Sequence, residues 1–224
     1  MTQRAGMGAV GLFGGTFDPV HFGHLRPALE CLEALGLSEL RLIPAAVPPH
    51  RAAPVAKPEQ RLAMLRLAVA DQPGFVVDGR ELQRPGPSYT VDTLRELRAE
   101  LGPQRPLCLL LGTDAFLGLS TWHRWEELPA LAHLVVMHRP GFPREALAER
   151  ADEPVRALLA PRQRAQAADL HAQPAGGIWL QAVTALDISA TAIRHTIAAG
   201  ASARYLLPDA VWRYIEENGL YRKV

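Results

Sequence analysis

An apolar run from Ala9 to Phe13 passes directly into Gly14-Gly15-Thr16-Phe17-Asp18-Pro19-Val20-His21-Phe22-Gly23-His24, after which Leu25, Ala28, Leu29, Leu32 and Leu35 recur at helical spacing and Gly36 offers a stop. This reads as a strand, a glycine turn and a helix start. A helix start leaves backbone N–H groups without partners and carries the positive end of the helix dipole, so the turn suits an anion such as a phosphate. Glycines remove Cβ atoms where a phosphate must approach the backbone, and Pro19 stiffens the turn before a ligand arrives.

The same alternation continues along the chain. Val10 to Phe13, Leu40 to Ile43, Phe75 to Val77, Leu107 to Leu111, Leu134 to Met137 and Ile178 to Ala182 read as strands separated by helical patterns. That order predicts an α/β fold: a Rossmann-like, doubly wound, mostly parallel sheet with helices on both faces. Ligands in such sheets bind beyond the carboxyl ends of the strands, and the segments after Phe13, Ile43, Leu111 and Ala182 therefore converge on one edge. One domain over residues 1–224 is expected, with residues 1–8 as a flexible lead. The four prolines of Ala45 to Pro58 make residues 45–58 an extended, mobile loop, and residues 141–177 form an excursion of loop or short helices.

His21 and His24 are the first candidates for chemistry. In helical geometry a spacing of three sets them about 60° apart around the axis, on one face of the first turn. Both imidazoles then address one ligand, donating hydrogen bonds to phosphate oxygens and, when protonated, offsetting charge as a phosphate ester bond breaks. Gly6-Met7-Gly8-Ala9-Val10-Gly11 fits a dinucleotide-binding pattern by letter but precedes the first strand instead of following it, and no Walker A loop occurs.

Near the other end, Ile188-Ser189-Ala190-Thr191-Ala192-Ile193-Arg194 opens a helical run closed by Gly200, with Ser189 as N-cap and Thr191 and Arg194 on one face. A capped helix with a solvated arginine has the same letters. Two hydroxyls, a guanidinium and free amides also match a triphosphate, because arginine holds two phosphate oxygens at once. Ser88-Tyr89-Thr90 precedes an amphipathic helix through Val91, Leu94, Leu97 and Leu101, and by itself says only that a helix is capped. Trp122-His123-Arg124-Trp125 fits core and rim aromatics of a helix, and Asp114 fits a helix N-cap or a ribose ligand.

These strings together resemble the bacterial nicotinate-nucleotide adenylyltransferases of the superfamily with a (His/Thr)-x-Gly-His motif. The resemblance rests on Gly14 to His24, Pro48-Pro49-His50-Arg51, Ser88 to Leu94, Gly112-Thr113-Asp114, Trp122, Ile188 to Arg194 and Tyr205-Leu206-Leu207-Pro208-Asp209, and runs from Val10 to Tyr221. It implies adenylyl transfer from ATP to nicotinate mononucleotide, with Mg²⁺ arriving on the ATP phosphates and no metal site of the chain's own. His21, His24 and Arg194 would be catalytic. Gly14, Gly15, Thr16, Phe17, Asp114, Ile188, Ser189 and Thr191 would bind ATP; His50, Arg51, Ser88, Tyr89, Thr90, Trp122 and His123 would bind the mononucleotide, with Trp122 stacking on the pyridine ring. The chain departs from the pattern in carrying Arg51 where many relatives have Lys, and Ala190 at a site often filled by Ser.

Composition excludes other classes. A formal net charge of +1 over 224 residues lacks the Lys/Arg surplus of a general nucleic-acid binder. No run approaches a membrane span and no signal peptide is read, so the expectation is a cytoplasmic enzyme with Cys31 and Cys108 as buried thiols. Self-association is left open. The rival readings are the same reaction on nicotinamide mononucleotide or on both nucleotides, a phosphopantetheine adenylyltransferase, and a non-catalytic nucleotide sensor on the same fold.

Overall fold

A computed structural model describes residues 8–47, 53–139, 141 and 144–222. From the amino end these form β1 (Val10–Gly15), α1 (Phe22–Ala34), β2 (Glu39–Pro44), α2 (Pro58–Val69), β3 (Phe75–Val77), α3 (Arg80–Gln83) and α4 (Thr90–Leu101). Then follow β4 (Leu107–Gly112), α5 (Thr113–Leu117), α6 (Leu128–Leu131), β5 (His133–His138), α7 (Arg144–Arg150), α8 (Glu153–Arg162), α9 (Asp169–Ala172), β6 (Ile178–Ala182), α10 (Ala190–Ala198) and α11 (Asp209–Glu217).

The strands form one sheet in the order β3-β2-β1-β4-β5-β6, and every described pairing is parallel, so the expected "mostly parallel" sheet is parallel throughout. Its central strands are buried on both faces, which is why they read as unbroken apolar runs. In β4, Leu107, Leu109 and Leu111 face a core shared with Val91, Leu94 and Leu97 of α4 and Val155 and Leu159 of α8. Cys108 and Leu110 point the other way, into a core built with Ala28 and Cys31 of α1, Met64 and Leu65 of α2 and Val211 and Ile215 of α11. Helices therefore cover both faces, as the alternation predicted.

The sheet grows outward from β1 in two directions, through β2 to β3 on one side and through β4 and β5 to β6 on the other. The crevice of such a sheet opens beyond the carboxyl ends of β1 and β4, where the direction of winding reverses. The turn starts later than the Gly-Gly pair implies. Gly14 and Gly15 are the last residues of β1, paired with Ile43 and Pro44 of β2, so the turn proper begins at Thr16. The 141–177 excursion holds α7, α8 and α9 and is tied back by the Gln163 bridge to Ile178 and by the His171 ring against the Leu35 carbonyl oxygen at 2.8 Å. Among the described residues, no helix is long and apolar enough to cross a membrane.

Candidate active site

Beyond β1 the chain turns sharply at Phe17, whose φ of 48° folds its ring back under the strand end, where it is almost fully buried. A Cβ on Gly15 would come within 3.0 Å of that ring, whereas one on Gly14 would meet nothing within 4 Å. Gly15 thus serves the packing of Phe17, and the space beside Gly14 is open for a ligand. The Phe17 ring stands edge-on to His24 at 5.1 Å and to Phe13 at 5.9 Å.

His21 is the N-cap of α1, with extended φ and ψ of −150° and 170°; its carbonyl accepts from the amides of His24 and Leu25 at 2.9 and 3.2 Å. Helical geometry therefore applies at His24 but not at His21. The extended backbone instead swings the His21 ring over that of His24, with ring centres 3.7 Å apart, closer than helical spacing alone would bring them. Gly23 makes this approach feasible, because a Cβ there would lie 2.9 Å from His21 Nδ1 and 3.0 Å from the Ile188 carbonyl oxygen. Burial drives the His21 pKa down from 6.5 to about 4, so the imidazole is neutral near pH 7 and acts as a hydrogen-bonding group, not as a standing positive charge. Its Nδ1 is buried with no hydrogen-bond partner among the described residues, and a buried polar nitrogen of this kind gains from a polar ligand.

The same glycine contact brings the start of α10 beside the histidines. Ser189 is the N-cap, its Oγ accepting from the Ala192 amide at 3.1 Å, as expected, while Thr191 is exposed. Arg194 Nη2 donates to Thr191 Oγ1 at 3.3 Å, and Nη1 donates to the Asp18 carbonyl oxygen at 2.7 Å, so the predicted shared face of Thr191 and Arg194 is real. Ile188 is half-buried and reaches the site through its backbone.

Three residues that sequence reasoning missed hold this end in place. Asp18, almost fully buried, accepts from the amides of Val55 and Ala56 and from the Tyr221 hydroxyl. Arg61, also buried, donates to the carbonyl oxygens of Thr16 at 2.8 Å and Ala45 at 2.7 Å, fixing the turn from behind. Asp18 lies inside the motif, and Arg61 sits at an apolar-stripe position with Met64 and Leu65; both were signals.

A second group stands at the start of α4 and in the loop after α5. Tyr89, the N-cap residue of α4, stacks on the exposed His123 with ring centres 4.2 Å apart. Trp122 is half-buried against the apolar core under α4 and ends a short 3₁₀ turn, Arg124 has φ of 52°, and Trp125 opens a second 3₁₀ turn, so the aromatic string is broken and not one helix. Ser88 does not cap α4: its Oγ accepts from the Ala46 amide at 2.9 Å, it hydrogen-bonds the buried Glu81, and its own amide donates to the Val47 carbonyl. Thr90 is the first residue of α4, where a helix terminus offers amides to a carboxylate. Asp114 is exposed in the first turn of α5, whose N-cap is Gly112, so the N-cap reading of Asp114 fails. His50 and Arg51 lie outside the described residues, as do residues 1–7 of the lead. Ala45, Ala46 and Val47 join the two groups, because the Ala45 amide donates to the Gly15 carbonyl while its neighbours bond Ser88.

Among the described residues no three His, Cys, Asp or Glu side chains cluster to hold a metal ion. The arrangement offers two stacked imidazoles, of which His21 is neutral near pH 7, with one guanidinium, hydroxyls and a helix N-terminus, a set that suits a polyanion.

The cytidylyltransferase-like family model matches residues 12–196. A probable nicotinate-nucleotide adenylyltransferase of Halorhodospira halophila is 57% identical over 219 residues, covering 98% of each chain, and one of Aeromonas hydrophila is 55% identical over 95% of this chain and 97% of its own. Among solved structures, the Plasmodium falciparum nicotinic acid mononucleotide adenylyltransferase complexed with NaAD has a TM-score of 0.67 at 15% identity, covering 96% of this chain and 97% of that one, and shares the fold. By these matches the chain belongs to the cytidylyltransferase-like family and, within it, to the nicotinate-nucleotide adenylyltransferases.

Proposed function

We propose that the protein transfers the adenylyl group of ATP to nicotinate mononucleotide, giving nicotinate adenine dinucleotide and pyrophosphate. The observation that carries this reading is the stacked His21–His24 pair at the end of β1, set against the start of α10, in a chain 57% identical to a relative of that name. An oxygen of the mononucleotide 5′-phosphate attacks the α-phosphorus of ATP; the new P–O bond forms as the bond to the β-phosphate breaks, and pyrophosphate leaves with the electron pair. No protein nucleophile is needed. Positioning of two polyanions and stabilisation of developing charge supply the rate.

In this reading His21 and His24 donate to phosphate oxygens at the reacting centre, and the fork of Arg194 takes the triphosphate with Ser189, Thr191 and the backbone of Ile188. Gly14, Gly15, Thr16 and Phe17 shape the ATP floor, and Asp114 faces the adenosine ribose. Mg²⁺ belongs to the substrate, carried on the ATP phosphates. Trp122, Tyr89 and His123 form the aromatic wall for the pyridine ring, with the start of α4 at Thr90 taking its carboxylate. His50 and Arg51 gather the mononucleotide phosphate, and Ser88 contributes by fastening the loop that carries them. With Cys31 and Cys108 both buried as free thiols, we read the enzyme as cytoplasmic.

Pyrophosphate release from ATP, measured with nicotinate mononucleotide and with nicotinamide mononucleotide in turn, tests the assignment. Release with the acid well above that with the amide is expected, because a helix N-terminus favours a carboxylate and has no preference for a neutral amide. Equal rates would overturn the acid assignment, and no release with either would make the protein a nucleotide sensor.

A further inference from the structure

Asp18 has no task in the proposed transfer, yet three distant segments meet on it. Its Oδ2 accepts from the Val55 amide at 2.7 Å, and its Oδ1 accepts from the Ala56 amide at 3.1 Å and from the Tyr221 hydroxyl at 2.7 Å. The third segment is α10. Arg194 Nη1 donates to the Asp18 backbone oxygen and stands 3.9 Å from Oδ2, near the carboxylate but not in a direct hydrogen bond with it.

That separation matters because an arginine and a carboxylate free to turn toward each other form a two-pronged pair, and such a pair uses the same guanidinium fork that a phosphate needs. The donors on Asp18 prevent it. With Oδ1 held by a hydroxyl and an amide, and Oδ2 by a second amide, the carboxylate plane is fixed and Oδ2 cannot close on Arg194. The Arg194 side chain, still 25% exposed, keeps its remaining donors for a ligand. The Tyr221 hydroxyl is the one side-chain donor in this set. Burial and then the Asp18 carboxylate push its pKa far above the ordinary phenol value, so it stays a proton donor at any working pH.

We propose that Tyr221, acting through Asp18, is a positioning residue that keeps the Arg194 fork open toward the triphosphate. The proposal rests on the reading of Arg194 as an ATP ligand. It gives the far carboxyl-terminal turn after α11 a role in the transfer site, 203 residues along the chain from Asp18.

The test is a double-mutant cycle on pyrophosphate release, with ATP varied at saturating nicotinate mononucleotide and all variants compared at equal folded fraction by circular dichroism. Tyr221→Phe should lower kcat/KM for ATP by about 10-fold, the scale of one charge-assisted hydrogen bond, and leave KM for the mononucleotide unchanged. Combined with Arg194→Ala, the same change should add less than about twofold, because the residue it positions is gone. Asp18→Asn, which keeps the side-chain shape, carries the same cycle if Tyr221→Phe does not fold. An equal loss in both backgrounds, or a loss shared by both substrates, overturns the positioning role and leaves Tyr221 a fold staple. A wild-type protein that releases no pyrophosphate overturns the functional reading itself, a distinct result.

Discussion

At the carboxyl end of β1, His21 is 4% exposed, with its ring 3.7 Å from that of His24 and close against Gly23; at the start of α4 and in the loop after α5, Tyr89 is half-buried and His123 stands exposed, each with the other as its ring neighbour. In the proposed transfer the first group serves the reacting phosphorus and the second the acceptor, and the rings of the first are held by their neighbours. Groups already fixed by neighbours need no reorganisation as charge develops, so their contribution belongs to turnover. The acceptor end carries its rings on loops and a helix start, so ordering them falls on substrate binding and belongs to KM. The two ends should therefore fail in different ways.

His24→Ala is the change expected to have the largest effect. Loss of one donor at the reacting phosphorus should cut kcat by on the order of 100-fold or more, with the fold intact, because the backbone of His21 and not the His24 ring caps α1. Steady-state pyrophosphate release checks it, and near-normal turnover would remove His24 from the transfer centre.

Acid should also expose the buried end first. The folded pKa of His21, about 4, lies below its ordinary 6.5, so between these values the unfolded chain binds the proton that the folded chain refuses. Its contribution is whole above pH 6.5 and is lost as pH falls toward 4, by up to about 3 kcal/mol. The fully buried His133 shifts the same way, burial being the main cause, so the two must be separated. Urea midpoints of the wild type and His21→Gln at pH 7.5 and 4.5 do so: the wild type should lose more stability over that interval, and parallel losses would assign the acid sensitivity elsewhere.

The fold was legible because central parallel strands, buried on both faces, leave unbroken apolar runs; each of the six was readable, down to Phe75–Val77 at the edge. In the candidate site, neighbours were legible where they are close in sequence, as in His21 with His24 or Thr191 with Arg194. They were not legible where one side chain answers another far along the chain. Nothing near Ser88 announces that its hydroxyl is engaged by Ala46 and Glu81, and nothing near Tyr221 points to Asp18. Such pairings have no period, so only the folded chain reveals them. The glycines misled for a related reason: a Gly-Gly pair reads as a turn, yet pairing with β2 extends the strand through both.

On the acceptor side, Trp122→Ala should raise KM for nicotinate mononucleotide by about 10-fold, the loss of one aromatic stack, while KM for ATP and kcat change little. A raised KM for ATP instead would reverse the assignment of the two ends.

The smallest effect is expected at His123, and it probes whether the acceptor wall is a stack or a single ring. Tyr89 and His123 lie nearly parallel, 28° between planes, so His123 backs the tyrosine from the solvent side and limits the orientations its ring can take. An exposed contact of this kind is worth about 0.5–1 kcal/mol, which converts to a two- to fivefold rise in KM for the mononucleotide on His123→Ala. Tyr89→Ala should cost more, because it removes both the ring and the surface on which His123 rests. If the two rings act as one wall, the double variant should be little worse than Tyr89→Ala alone; additive losses would mean that His123 meets the substrate directly, and the acceptor end would then be more preorganised than its exposure suggests.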